Sequence, residues 1–134
     1  MMGAMLGGGM DGYVVENFGD APFFGEAVPP ETLAAMARVL GRLPRGDALV
    51  GANVLRNDAR AALGLAAAFE LDFIRVNVHV GAAVTDQGVL EGRAAETLRA
   101  RLSLGARVAI LADVDVKHAV PLGPARPLAE LAEE

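Results

Sequence analysis

The 134-residue sequence contains no cysteine and only two histidines, His79 and His118. Without cysteine there is no disulfide, no thiolate metal ligand and no cysteine nucleophile. Its single serine, Ser103, lies in a predicted helix and outside any Gly-x-Ser-x-Gly motif, which excludes a serine nucleophile at a strand end. The glycine run at 7–9 precedes no Lys-Ser/Thr pair and follows no predicted strand, so phosphate-loop and dinucleotide motifs are absent.

Long hydrophobic runs and excess positive charge are also missing. No segment approaches the roughly 20 apolar residues of a membrane span, and residues 1–10 lack the basic and long apolar segments of a signal peptide. The net charge of −5 opposes general binding to nucleic acid or anionic membrane, although a local basic pocket remains compatible with a phosphate. We therefore expect a cytoplasmic protein that binds no nucleic acid and associates with membranes at most peripherally.

What the sequence does contain is a regular alternation of strands and helices. Short apolar runs rich in β-branched residues alternate with Ala/Leu-rich segments, a pattern typical of a parallel sheet with crossover helices. The predicted strands are 12–18, 49–55, 73–79 and 107–116, and the predicted helices are 30–43, 59–69, 92–104 and a last one from 127. A complete (β/α)8 barrel needs about 250 residues. The prediction is one α/β domain over residues 1–134, a partial TIM barrel of about four βα units.

Helix boundaries and faces follow from local residues. Pro30 suits a first helical turn, Asn57 and Asp58 are candidate N-caps, and Gly105 is placed to end the third helix. Helical spacing predicts two buried faces, made of Leu33, Met36, Ala37 and Leu40 and of Leu63, Ala66 and Ala67.

Polar residues gather at the end of each predicted strand, where α/β barrels carry their active sites. Because side chains alternate along a strand, Arg75, Asn77 and His79 share one face, and so do Asp113, Asp115 and Lys117. We expect both faces to point inward, together with Glu16 and Asn53. The candidate ligand-binding residues are Asn17, Asp20, Asn53, Arg56, Asn57, Arg75, Asn77, His79, Thr85, Asp86 and Asp115.

The candidate catalytic residues are Asp113, Lys117, His118 and Glu16, and several chemistries fit them. Carboxylates and amides at the strand ends are ligands suited to a divalent cation, although no spacing is diagnostic of a metal. Lys117 and Arg75 are able to hold a phosphate or carboxylate, and Lys117 beside Asp115 is able to transfer protons. His118 is either an acid or base, or a helix cap. A buried ion-pair network that fixes the interior explains the same residues.

The stretch 80–92 is longer than an ordinary βα connection and is predicted to be a loop. Such a loop either closes over a ligand or covers the rim of the sheet.

Several motifs together resemble the BtpA/SgcQ family. They occur in the family's order and are Asp11-Gly12, Glu16-Asn17-Phe18-Gly19-Asp20-Ala21-Pro22-Phe23, Asn53-Val54-Leu55-Arg56-Asn57-Asp58, Phe73-Ile74-Arg75-Val76-Asn77-Val78, Thr85-Asp86-Gln87-Gly88, Glu91-Gly92-Arg93-Ala94, Leu111-Ala112-Asp113-Val114 and Val116-Lys117-His118. The resemblance implies a TIM barrel of the ribulose-phosphate-binding type. It also implies a role in photosystem I biogenesis at the cytoplasmic side of thylakoid membranes, or in sugar metabolism.

The resemblance also predicts what is missing. The family's first strand, with its His-Leu-x-Pro-Leu-Pro-Gly segment, has no counterpart here, residues 1–10 resemble the remnant of the helix after it, and the last strands are absent. The strands present correspond to strands two to five. An open half-barrel leaves edges and an inner face to cover, which predicts a homo-oligomer.

The functional expectation is a BtpA-like photosystem I biogenesis or stability factor with a small-ligand site at the strand ends. The alternatives are a metabolic enzyme acting on a phosphorylated or sugar-like metabolite, and an inactive truncated fragment. The sequence leaves open whether the protein is an enzyme.

Overall fold

The computed structural model describes residues 7–124 and 126–133. Its elements are β1 (Gly12–Glu16), a short 3-10 turn (Phe18–Asp20), α1 (Pro30–Leu40), β2 (Leu49–Asn53), α2 (Ala59–Phe69), β3 (Phe73–Val76), β4 (Ala82–Thr85), β5 (Gly88–Glu91), α3 (Ala94–Ser103), β6 (Ala109–Ala112), β7 (Val120–Pro121) and α4 (Leu128–Leu131). The sequence pattern predicts the positions of the four long strands and the helices, although each strand is shorter than predicted.

β1, β2, β3 and β6 form one parallel sheet whose strand order follows the chain. A helix connects each strand to the next. The α/β class and the four-stranded parallel sheet are therefore confirmed, whereas closure into a barrel stays a prediction. Residues 1–6 of the predicted N-terminal helix remnant lie outside the described residues.

The alternation of side chains along the strands places the core on one face of this sheet. Val50, Ala52, Ile74 and Val76 are buried there and pack in one cluster with residues of the helices. The opposite, inner face carries the polar side chains, because Asn53 and Arg75 occupy the alternate positions of β2 and β3.

The helix ends follow the predicted caps. Asp58, not Asn57, is the N-cap of α2, since its carboxylate accepts a hydrogen bond from the Ala61 amide at 2.9 Å. Gly105, at φ +61°, follows α3 in the left-handed conformation as predicted. The predicted faces of α1 and α2 are buried or packed against the core, except that Ala67 is exposed.

A second sheet was missed by the sequence analysis. The predicted loop 80–92 is instead a hairpin, β4–β5, and β7 adds to the other side of β4. Thr85 closes the hairpin turn, where its hydroxyl donates to the Gly88 carbonyl at 3.0 Å. The small apolar core beneath contains Ala83 and Leu90. Two β-branched runs on either side of a Gly-containing turn were the available signal.

The predicted strand 107–116 is also corrected. Only four of its residues, in β6, pair with β3, and the chain then turns towards β7. Within the described residues, no helix is long and apolar enough to cross a membrane.

Candidate functional site

The carboxyl ends of all four parallel strands are joined by one network of charged and amide side chains. Arg75, at the centre, donates to Glu16 at 2.9 Å and to both carboxylate oxygens of Asp113 at 2.9 Å each. Asn53 donates to Glu16 at 3.2 Å, and Asn77 donates to Asp113 at 2.9 Å. The predicted convergence of these five side chains on the inner face is therefore seen in the structure.

The network is partly shielded from solvent. The side chains of Glu16 and Asp113 are 21% and 17% exposed, whereas that of Arg75 is 39% exposed. The hydrogen bonds and charge of Asp113, and then of Glu16, raise the pKa of Arg75 above its usual value, although burial opposes the shift. Two carboxylates share this one guanidinium, so the cluster carries a net negative charge.

Asn77 is an amide of the network that also borders a cavity. It is 3% exposed, and its Oδ1 is a buried atom without a hydrogen-bond partner among the described residues. The amide orientation is set by Asp113, because only the NH2 group can donate to a carboxylate. A cavity of about 400 Å³ has Asn77, Asp113 and Asp115 in its wall.

Asn17 and Asn57, both predicted to bind ligand, use their amides to extend the sheet. The Asn17 amide accepts from the Leu55 backbone amide at 2.7 Å and donates to the Leu55 carbonyl at 3.2 Å. Asn57 forms the same pair of bonds with Val78, at 2.9 and 3.0 Å. Each side chain thus mimics a strand backbone just beyond the end of its own strand.

The remaining predicted site residues lie around the rim. Asp20 is exposed and accepts from the Thr32 hydroxyl at 3.1 Å. Arg56 donates to the Lys117 carbonyl at 3.0 Å. Thr85 and Asp86 belong to the hairpin turn, where Asp86 is exposed.

Lys117 and His118 follow β6 and are exposed, as is Asp115. His118 has φ +63°, an uncommon backbone conformation for a residue with a side chain. The hydrogen bonds that Asp113 accepts from side chains come from Arg75 and Asn77, not from Lys117 or His118. The predicted catalytic set is therefore divided between the network, which holds Glu16 and Asp113, and the rim.

His79 is partly buried, and burial lowers the pKa of its imidazole below the ordinary 6.5. Its Nδ1 is buried without a hydrogen-bond partner among the described residues. No carboxylate among the described residues is hydrogen-bonded to this atom. A neutral imidazole is the favoured state near pH 7.

No group of three or more histidine, aspartate or glutamate side chains in the described part of the chain is arranged to hold a metal ion. Arg75 lies between the two carboxylates of the network, so its guanidinium occupies the place where a cation bridging Glu16 and Asp113 would lie. The divalent cation considered from the sequence stays a prediction without a defined ligand set.

At the opposite end of the sheet, an ion pair was missed by the sequence analysis. Arg45 donates to the carbonyls of Phe69 and Glu70 at the end of α2, and its guanidinium lies 3.3 Å from the Asp72 carboxylate. Asp72 also accepts from the Val50 amide at 2.8 Å. This cluster connects the end of α2 to the amino-terminal end of the sheet. In α/β barrels, residues at this end contribute to stability rather than to catalysis.

Comparison with known proteins gives one family. A model of the BtpA family matches residues 2–133. The photosystem I biogenesis protein BtpA of Synechocystis is 54% identical over 121 residues, which cover 90% of this chain and 42% of that protein. An uncharacterized protein of Pyrococcus horikoshii is 47% identical over 83% of this chain and 43% of its own length.

A third relative, an uncharacterized mitochondrial protein of Caenorhabditis elegans, is 36% identical over 82% of this chain and 42% of its own length. The chain thus spans about two-fifths of the length of these relatives. No solved structure matches it. The residues that carried the resemblance, from Asp11 to His118, lie inside the matched region, and the chain belongs to the BtpA family.

Proposed function

We propose that this chain is part of a BtpA-like photosystem I biogenesis or stability factor that binds a small ligand at the carboxyl ends of its parallel strands. The observation that carries the proposal is the Glu16–Arg75–Asp113 network with Asn53 and Asn77. Five polar side chains from four strands converge on one face, and two of them are almost fully buried. In this proposal the sheet belongs to a TIM barrel, whose ligand sites lie at this end.

The network has the properties of a preorganised site. Each of its members is fixed by at least one other, so the groups do not need to be ordered when a ligand arrives. The Asp113 carboxylate and Asn77 both border a cavity whose volume suits a small molecule. A purely structural ion-pair network, the other interpretation of these residues, has no need of that cavity.

The assembly role comes from the name of the Synechocystis relative. It is tested in that organism with a chimera, in which this chain replaces the 121 aligned residues of the relative. We expect the chimera to restore photosystem I content in a strain that lacks the relative, measured by low-temperature fluorescence. A chimera that accumulates to the level of the natural protein without restoring photosystem I contradicts the role.

The ligand site is tested in the same chimera with Arg75→Met. This change removes the charge that holds the two carboxylates, while Arg93→Met removes an exposed charge elsewhere and serves as the control. Loss of photosystem I in the first variant alone, at equal protein level, supports a functional role for the network. Equal activity of the two variants contradicts it.

The alternative proposal is a metabolic enzyme for a phosphorylated or sugar-like metabolite, with Asp113, Lys117, His118 and Glu16 as its reactive groups. His118 favours it, because an uncommon backbone conformation at a strand end is a feature of active sites. Turnover of a sugar phosphate that is lost in Lys117→Ala and in Asp113→Ala would support the enzyme. A ligand that binds and is recovered unchanged favours the assembly factor.

A further inference from the structure

We propose that the cavity beside the network selects a small organic amine, with its ammonium group against Asn77, Asp113 and Asp115 and its apolar part against the opposite wall. This inference rests on the small-ligand site proposed above and names the class of ligand. It differs from the phosphorylated ligand implied by the family resemblance.

The lining of the cavity includes both apolar and polar side chains. The hairpin and β7 contribute apolar surface that includes Ala83 and Pro121, and α4 adds Leu128 and Leu131. The polar side chains, called the polar wall below, include Asn77, Asp113 and Asp115, while the segment that leaves β6 also contributes Val114 and Val116. A volume of about 400 Å³ is within the range of small-molecule pockets.

The polar wall offers acceptors rather than donors. Asn77 has its NH2 group bound to Asp113, so the unpaired polar atom of this side chain is Oδ1, a buried carbonyl-type acceptor. An unpaired buried acceptor is unfavourable, and a donor from a ligand would satisfy it. The carboxylates of Asp113 and Asp115 are acceptors as well.

The charge of the polar wall favours a positively charged ligand over a phosphate. Asp113 and Glu16 share Arg75, so that cluster keeps one excess negative charge, and Asp115 adds another. Arg126 also lines the cavity, with its Nε 3.7 Å from the Glu130 carboxylate. A phosphate has acceptors and negative charge and meets the carboxylates unfavourably, whereas an ammonium group has three donors and positive charge.

The test uses the chain and four small probes followed by amide NMR: cyclohexylamine, cyclohexanol, cyclohexanecarboxylate and ribose 5-phosphate. The first three share one apolar ring and differ in head group. We expect cyclohexylamine to bind with a Kd of about 1 mM, as befits a molecule of this size, and to shift the amides of residues 77–83 and 113–116. The other probes should bind at least about tenfold more weakly.

Two variants locate the site. Asp115→Asn keeps the shape of an exposed side chain and should weaken cyclohexylamine about three- to tenfold, whereas Asp47→Asn, an exposed carboxylate between α1 and β2, should not change it. Asn77→Leu should weaken binding by about tenfold or more. If Asn77→Leu does not fold, the comparison of Asp115→Asn with Asp47→Asn tests the location of the site.

The possible results separate the two proposals. Tighter binding of ribose 5-phosphate or the carboxylate at the same residues would overturn the amine and leave the small-ligand site standing. Equal binding of amine and alcohol, or an unchanged affinity in Asp115→Asn, would overturn the amine as well. No shifts with any of the four probes at millimolar concentration would count against the site and the amine together.

Discussion

At the scale of single residues, Arg75 is the central member of the polar network. Its guanidinium joins side chains from β1 and β6, which are the outer strands of the parallel sheet. Alternation along the strand predicts that Arg75 lies on the inner face. Its position between two carboxylates was not predictable, because the partners are 59 and 38 residues away in the chain.

Arg75→Met is expected to lower the free energy of unfolding by about 1–2 kcal/mol. The change leaves Glu16 and Asp113 as two facing carboxylates without their cation, and the partial exposure of Arg75 reduces the loss below that of a fully buried pair. Urea unfolding measures the difference. Arg93→Met, at an exposed pair with Glu26, should cost less than about 0.5 kcal/mol, and equal losses would contradict a structural role for Arg75.

His79 predicts a pH dependence of stability. Burial lowers its pKa in the folded protein below the 6.5 of the unfolded chain, so on acidification the unfolded chain takes up the proton first. Stability from this residue is complete above about pH 6.5 and is lost as the pH falls towards the folded pKa. The loss stops below that folded value.

The measurement compares wild type with His79→Gln, which does not titrate. From about pH 7.5 to about pH 5.5 the wild type should lose more unfolding free energy than the variant, because all other groups are common to both. Parallel stability curves for the two proteins would contradict the burial of a neutral imidazole.

At the scale of elements, the sequence pattern predicts helices and strands with a regular hydrophobic period, but not the short hairpin or the side chains that bond to a distant backbone. The spacing of Met36 and Leu40 correctly predicted the buried face of α1, and the glycine after α3 correctly predicted where that helix ends. The hairpin was missed because a four-residue strand gives little alternation. The roles of Asn17 and Asn57 were missed because they depend on backbone atoms just beyond the end of the next strand. Sequence pattern reports burial better than it reports hydrogen-bond partners.

The end of α2 provides an element-scale prediction. Glu70 caps this helix in the left-handed conformation, φ 51° and ψ 46°, which costs energy for any residue with a Cβ, and its negative charge lies at the negative end of the helix. Glu70→Gly should therefore raise the free energy of unfolding by about 0.5–1 kcal/mol.

The control is the same substitution at a helical position. Glu96→Gly, in the first turn of α3, should lower the free energy of unfolding by about 0.5–1 kcal/mol, because glycine is unfavourable where the backbone is helical. Urea unfolding of both variants measures the contrast. Destabilisation by Glu70→Gly equal to that of Glu96→Gly would show that the left-handed cap is not strained.

At the scale of the whole molecule, the question is what covers the inner face of the parallel sheet. The core lies between the sheet and α1–α3, and the other face carries the polar network and a few apolar side chains of the described strands. Val14 is 38% exposed and Leu111 is 51% exposed on that face. In the described part of the chain, β1 and β6 are each paired on one side. Open edges beside exposed apolar side chains favour association.

We therefore propose that the isolated chain self-associates through the inner face and the edges of β1 and β6, as the half-barrel predicted from sequence requires. Sedimentation velocity at micromolar concentration should show a species larger than the monomer, and Leu111→Lys should shift the equilibrium towards monomer because it places a charge in the interface. Val39→Lys, at an exposed position of α1 away from this face, is the matched control. A monomer throughout the micromolar range would contradict self-association. Equal weakening by the two lysine variants would place the interface elsewhere.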